Sequence, residues 1–327
     1  MSFSISTLGV QLLTTNNLQN EQTNLAQLNS QLATGQQFDN LTGYTPADAH
    51  NILNFQNAIT QRQSYIDSMK TVSSRLSVYD TTMTDMETLA SQAQTLATQN
   101  QSLDPTKIAQ INAQTQAYLE QVQNDLNQQV SGRYIYAGSR YTTQPVANLT
   151  SLGPSVQAPF PSTSPTLPDY DTQYAPAATP PVTTSTDAWT QDQVTVDTGF
   201  NLPYGVTSTA AGFQQVIAGL RLMNAASQTG ASAATYQTDM TNASTLLSNG
   251  LTNIQALHAG VANSTNIITQ ETTTQNADIN NLQNQLGDIQ NVNITQVGTE
   301  INTLQTQLQA SYSATASLIQ ESILKYL

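Results

Sequence analysis

Residues 240–289 read MTNASTLLSNGLTNIQALHAGVANSTNIITQETTTQNADINNLQNQLGDI. Within them Met240, Leu247, Ile254, Val261, Ile268, Gln275, Leu282 and Ile289 are spaced by seven. Leu251, Thr265, Thr272, Ile279 and Leu286 each follow a member of that series by four residues. A heptad pattern sustained this far predicts a long helix whose seam lies on a partner helix. At a rise of 1.5 Å per residue the stretch would reach roughly 75 Å. Gly250 and Gly260 each lower helix propensity by about 1 kcal/mol relative to Ala, so a break is expected there if anywhere.

The partner stripe lies in the N-terminal half. Phe55, Arg62, Met69, Leu76, Met83, Ala90 and Ala97 form one sevenfold series. Ala58, Tyr65, Val72, Tyr79, Met86 and Ala93 form a second, offset by three. Together they predict a helix from about Ala47 to Ala97. Asp104-Pro105 has the form of a helix start, Asp as N-cap and Pro at the first helical position. Ile108, Ile111, Leu119, Val122, Leu126 and Val130 mark the helix that follows, so the chain is expected to turn near Gln101–Asp104.

The ends repeat the theme. Leu18, Leu25 and Leu32 are seven apart, with Leu28 between the last two. Val297, Ile301, Leu304, Leu308, Thr315 and Leu318 form a stripe near the other terminus. The heptads slip by one residue at Asn291-Val292-Asn293, which predicts a break between helices. The stretch from Gly35 to Pro46, with Asp39, Asn40 and Gly43, is its counterpart. Such stripes cannot be buried by one helix alone, and those of the terminal pair predict association with further subunits. The expected assembly surface is Leu18, Leu25, Leu28, Leu32, Val297, Ile301, Leu304, Leu308 and Leu318.

Ten of the 12 prolines fall between Pro145 and Pro203. Proline excludes helix interiors, so this stretch interrupts the helical chain. Between Tyr141 and Gly205 it carries Asp169, Asp171, Asp187, Asp192 and Asp197 and no base. Gln193-Val194-Thr195-Val196 is strand-prone. The reading is a mainly α protein in three parts. Residues 1–40 and 294–327 make a terminal helical pair. Residues 41–144 and 205–293 make an antiparallel helical rod. Residues 145–204 make a small β-rich outer insert, with Trp189 expected in its core.

Composition narrows the function. The 327 residues carry 8 Lys and Arg against 21 Asp and Glu, a net charge of −13. Phosphate-backbone binding needs clustered bases, so nucleic acid is not an expected partner. The absence of Cys removes disulfides, thiolate zinc sites and Cys nucleophiles. No apolar run is long enough for a transmembrane helix, and Met1–Val10 lacks the basic and apolar regions of a cleavable signal peptide. His50 and His258 have no acidic or His partner at helical spacing, and Asp85 and Glu87 lie on different helix faces. Phosphate-loop, dinucleotide, zincin and nucleophile-elbow motifs are absent from the sequence. Neither an enzyme nor a cofactor protein is indicated. Met69, Met83, Met86, Tyr65 and Tyr79 could line a soft groove, but their spacing is that of a helix core.

With these parts laid out, the chain resembles the bacterial flagellin family, which includes filament flagellins and the hook–filament junction protein (hook-associated protein 3). Gln31-Leu32-Ala33-Thr34-Gly35 is similar to the family's Leu-Ser-Thr-Gly segment. Pro46-Ala47-Asp48-Ala49 fits the opening of its first rod helix. Gly132-Arg133-Tyr134-Ile135-Tyr136-Ala137-Gly138 resembles a segment more typical of the junction protein. Ile289-Gln290-Asn291-Val292-Asn293-Ile294 stands where the family has an acidic break, and Tyr326-Leu327 ends the chain in the family's manner. Gln36-Gln37 replaces the usual basic pair, and Asn-Val-Asn replaces the Asp-rich break. The resemblance covers about the first 140 and the last 120 residues. It implies a structural subunit that joins hook-side proteins to the filament by helical self-assembly, extracellular and exported unfolded by the flagellar type III apparatus. Implied partners are copies of the chain, a hook-side hook-associated protein, flagellin and a flagellar export chaperone. A filament flagellin is the alternative within the family, and a secreted adhesin-like binding protein the alternative outside it.

Overall fold

The structure, a computed structural model, describes residues 7–142, 144–146, 149–150, 191–227 and 232–324. Most of the insert, including Asp169, Asp171, Asp187 and Trp189, lies outside these residues, as do Tyr326 and Leu327. The architecture is mainly α. Helices α1 (Thr7–Thr34), α2 (Pro46–Gln99), α3 (Ile108–Leu126), α4 (Ala211–Ala226), α5 (Ala233–Gln290) and α6 (Ile294–Leu324) carry the chain. Strands β1 (Gln129–Val130) and β2 (Arg133–Tyr134) form one antiparallel ladder, and β3 (Gln193–Asp197) and β4 (Phe200–Pro203) another. The fold divides into two units, Met1–Gln61 with Ala277–Leu327, and Arg62–Asn276. Helices α2 and α5 contribute residues to both.

The core of the Arg62–Asn276 unit is built from the two heptad series. Met69, Leu76, Tyr79, Met83, Met86 and Ala90 of α2 are buried in one cluster with Met240, Leu247, Ile254, Val261 and Ile268 of α5. The Met and Tyr residues that could have lined a groove are in this cluster, apart from the partly buried Tyr65 at its margin. Gln275, the polar member of the α5 series, is also fully buried. Its Oε1 accepts from Arg62 Nη1 at 2.7 Å, and its Nε2 donates to the Val196 carbonyl at 3.1 Å. A polar seam residue thus ties α2, α5 and β3 together.

Helix α5 runs through Gly250 and Gly260 without a break. Gly250 has a packing reason. A Cβ there would stand 2.7 Å from the Val216 side chain and 3.1 Å from the Gly212 carbonyl. The missing side chain lets α4 approach α5 closely, and tertiary contact outweighs the propensity cost. Helix α4 itself is apolar on nearly every face, from Phe213 to Met223, and is buried accordingly.

Two local expectations are corrected. Helix α3 begins at Ile108, not at Pro105. Asp104 instead closes a turn, its Oδ1 accepting from Thr106 N at 3.0 Å and Thr106 Oγ1 at 2.7 Å. Val130 is not the last residue of the helical stripe but part of β1. Ser131 and Gly132 both have positive φ, 53° and 75°, the requirement of a tight two-residue hairpin turn.

The segment after that turn anchors the unit. Tyr136 is fully buried and meets Tyr79 and Phe213 edge to face, with ring centroids 4.8 and 5.4 Å apart. Its hydroxyl lies 2.5 Å from Thr82 Oγ1. The Tyr79 hydroxyl donates to the carbonyl of Ile135 and accepts from Val206 N at 3.3 Å. The β3–β4 hairpin, expected in the outer insert, is set into the same core. Val194, Val196, Leu202, Tyr204 and Val206 are all buried in it.

Candidate assembly surface

In the unit formed by the chain ends, α6 packs along α1. The two helix breaks meet. Gly35, at φ +70°, ends α1 by donating its N–H to the Gln31 carbonyl at 2.8 Å. Gln37 N donates to the Gln290 carbonyl at 2.7 Å, and Val292 N to the Gly35 carbonyl at 3.0 Å. Asn293 then starts α6 as a capping residue, its Oδ1 accepting from Thr295 N and Gln296 N at 3.1 and 3.2 Å. The slip in the heptad count and the Gly35 stretch are thus two sides of one bridged junction.

Farther along, Gln22 Nε2 donates to the Tyr312 hydroxyl at 2.7 Å. Ser311 Oγ donates to Glu21 Oε1 at 3.4 Å, and the other Glu21 oxygen is buried without a hydrogen-bond partner. Polar residues as well as leucines hold this pair.

The stripe residues fall into three groups. Val297, Ile301 and Leu308 are buried within the unit, at 5–7% exposure. Leu18, Leu25, Leu28 and Leu304 are half-buried. Leu32 is 42% exposed. Leu318 lies on α6, outside the residues whose side chains are described. Leu28 and Leu304 come together in a groove of about 490 Å³, lined also by Gln27, Gln31, Thr303 and Gln307.

Among the described residues of α1 and α6, four exposed large apolar residues were not in the sequence-derived set: Leu12 (57%), Leu13 (60%), Ile294 (56%) and Tyr312 (50%). Leu12 and Leu13 are out of step with the Leu18–Leu25–Leu32 count. Tyr312 follows Leu308 by four and could have been found by extending that stripe. Half-buried leucines flanked by exposed ones leave the pair with apolar surface still facing water.

Chemistry is sparse elsewhere. Among the described residues, no group of three His, Cys, Asp or Glu side chains is placed to hold a metal ion, and no helix is long and apolar enough to cross a membrane. His258 has acidic partners that helical spacing within α5 could not reveal. Its Nδ1 lies 2.8 Å from Glu87 Oε1 and its Nε2 2.9 Å from Asp80 Oδ1, both on α2. Burial pulls its pKa down, but the hydrogen bonds and charges of Asp80 and Glu87 outweigh that and raise it. The site is an interhelical clasp. Asp125 of α3 is 8% exposed, and its Oδ2 lacks a partner. Burial, aided by the charge of Asp85, pushes its pKa up to about 7.

Comparison with known proteins bears on the helices at both ends. Residues 5–141 match the bacterial flagellin N-terminal helical region, and residues 244–327 match the bacterial flagellin C-terminal helical region. The chain belongs to the bacterial flagellin family. A search of the curated proteins finds no significant match. Among solved structures the flagellin-family fold is shared with a protein named as a flagellar hook-associated protein from Vibrio parahaemolyticus. It is 13% identical with a TM-score of 0.54, and the match covers 75% of this chain and 99% of that one. The flagellin family is one of structural proteins whose members assemble with other flagellar subunits, and the protein is a flagellar component.

Proposed function

We propose that this flagellin-family protein is the junction subunit that joins hook-side hook-associated proteins to the flagellin filament. It would act outside the cell, at the distal end of the hook. The observation that carries this reading is the segment Gly132–Gly138. Its resemblance to the junction protein coincides with a structural role, because Tyr136 and the Ile135 carbonyl form the aromatic and hydrogen-bonded anchor described above. The fold likeness to a hook-associated protein supports the same direction. The α1–α6 pair is the proposed assembly surface. Leu18, Leu25, Leu28, Leu32 and Leu304 offer partly exposed apolar area to neighbours, joined by Leu12, Leu13 and Tyr312. Val297, Ile301 and Leu308 act indirectly by holding α6 on α1. Fully burying an exposed Leu contributes roughly 1.5–3 kcal/mol, and covering the rest of a half-buried one about half of that, so several per subunit decide whether a ring closes.

The test is location and copy number. Labelled antibody on isolated hook–basal bodies should decorate a narrow band at the hook tip, and the protein should be scarce in sheared filaments. Labelling along the whole filament would show a filament flagellin instead. Labelling of other surfaces with none on the flagellum would favour the adhesin-like alternative.

A further inference from the structure

The β3–β4 hairpin has two different edges. Tyr204 N donates to the Asp192 carbonyl at 2.9 Å, and the register pairs Val194 with Leu202. Residues paired by hydrogen bonds alternate along an antiparallel ladder, so Val194 faces β4. The N–H and C=O groups of Gln193 and Thr195 therefore face the other way. On β4 the corresponding outward position is Pro203, which has no N–H and blocks that edge. Among the described residues nothing comparable blocks β3, and its outward groups have no hydrogen-bond partner there.

That open edge borders a groove of about 510 Å³ whose other wall is α2, through Ser64, Ser68, Thr71 and Arg75. Arg75 Nη1 donates to the Tyr204 hydroxyl at 2.6 Å, while its Nε is buried without a partner. Tyr204 donates onward to Asp192 Oδ2 at 3.4 Å, and Arg133 reaches the same oxygen at 3.5 Å. Two of the chain's eight bases thus share one carboxylate, a local cationic excess in a chain of net charge −13. Strand groups without partners call for an extended backbone, and the positive charge of the partly exposed Arg75 at the groove wall calls for an acidic side chain.

The geometry points to this groove as a docking site for an extended acidic segment of a second copy of the chain. The segment adds a strand to β3 and directs a carboxylate at Arg75. Strand addition supplies affinity through main-chain hydrogen bonds, and the opposite charge sets register and partner choice. The inference rests on the self-assembly proposed above but concerns a different surface from the α1–α6 pair.

The absence of cysteine allows a direct test on the full chain. A Ser68→Cys variant carrying a photo-cross-linker is mixed as isotopically heavy and light protein, assembled, irradiated and sedimented. Heavy–light cross-links from position 68 to an Asp- or Glu-containing peptide are expected. Adding a negative charge with Thr71→Glu should lower their yield about tenfold, while Thr71→Arg should keep or raise it. Gln193→Pro, at a position whose N–H is not used within the hairpin, should lower it as well. Sedimenting assemblies without heavy–light cross-links would overturn this inference and leave the terminal-helix reading standing. Cross-links confined to one chain, for example to residues 151–190, would overturn it in favour of the chain covering its own groove. Failure of the full chain to assemble at all would refute the self-assembly reading and this inference with it.

Discussion

Replacing Asp125 by Asn should make the Arg62–Asn276 unit steadily more stable relative to the parent as pH rises from acid to alkaline. Moving a carboxyl from its ordinary 3.8 to about 7 disfavours the ionised form in the folded chain by roughly 4 kcal/mol. The folded state therefore holds a proton that the unfolded state has released, and stability falls as pH rises. The stability associated with that proton is fully present below about 3.8 and is lost as pH climbs through about 7. Asn imitates the protonated acid and cannot ionise. A buried amide nitrogen left without a partner costs about 1–3 kcal/mol, a contribution that is the same at every pH and so drops out of the pH dependence. The difference between variant and parent should grow by about 2–3 kcal/mol between about pH 5 and about pH 8. Urea unfolding followed by the near-ultraviolet signal of the buried Tyr79 and Tyr136 reads this unit directly. A stability difference that stays constant across that range would refute the reasoning, because it would mean the Asp125 carboxyl titrates alike in both states.

Other perturbations separate the roles of the parts. Leu25→Asp together with Leu304→Asp should abolish filament attachment, since both leucines are half-buried and belong to the proposed assembly surface; unfolding of the Arg62–Asn276 unit should be unaffected, and attachment surviving both changes would show that the α1–α6 pair is not the assembly surface. Gln275→Leu should destabilise that unit by about 1–3 kcal/mol despite adding apolar surface, because it removes the hydrogen bonds to Arg62 and the Val196 carbonyl; chemical denaturation showing equal or higher stability would contradict this. His258 has a raised pKa in the folded state, so its contribution is present below about 6.5 and disappears as pH rises through the higher folded value. His258→Gln should flatten that part of the pH profile, and only slightly, because Asp80 is 65% exposed and solvent screens the pair.

How much of this could be read from residues alone depends on the range of the interaction. The heptad series located α2 and α5 closely, because burying one face of a helix imposes a period that no other residue order satisfies. The breaks at Gly35 and Asn291–Asn293 were legible for the same reason: a slip in the count is visible wherever the period is. Local chemistry misled at Asp104, where the side chain serves a turn, and at Val130, where a positive-φ turn drew the residue into a strand. The buried α4 was not distinguished, since a helix apolar on all sides has no period to detect. Gly250 looked like a weakness until α4 was found resting on it.

The features that tertiary structure alone decided involve residues far apart in the chain. His258 meets Asp80 and Glu87, Asp125 feels Asp85, Tyr79 holds the segments at Ile135 and Val206, and Gln275 reaches Val196. The same holds for which terminal leucines remain exposed, because α1 and α6 together decide what each covers. Periodicity along the chain determined which faces had to be buried. Only the folded packing determined which partner buries each face, and therefore which charges, donors and apolar side chains are left for another molecule.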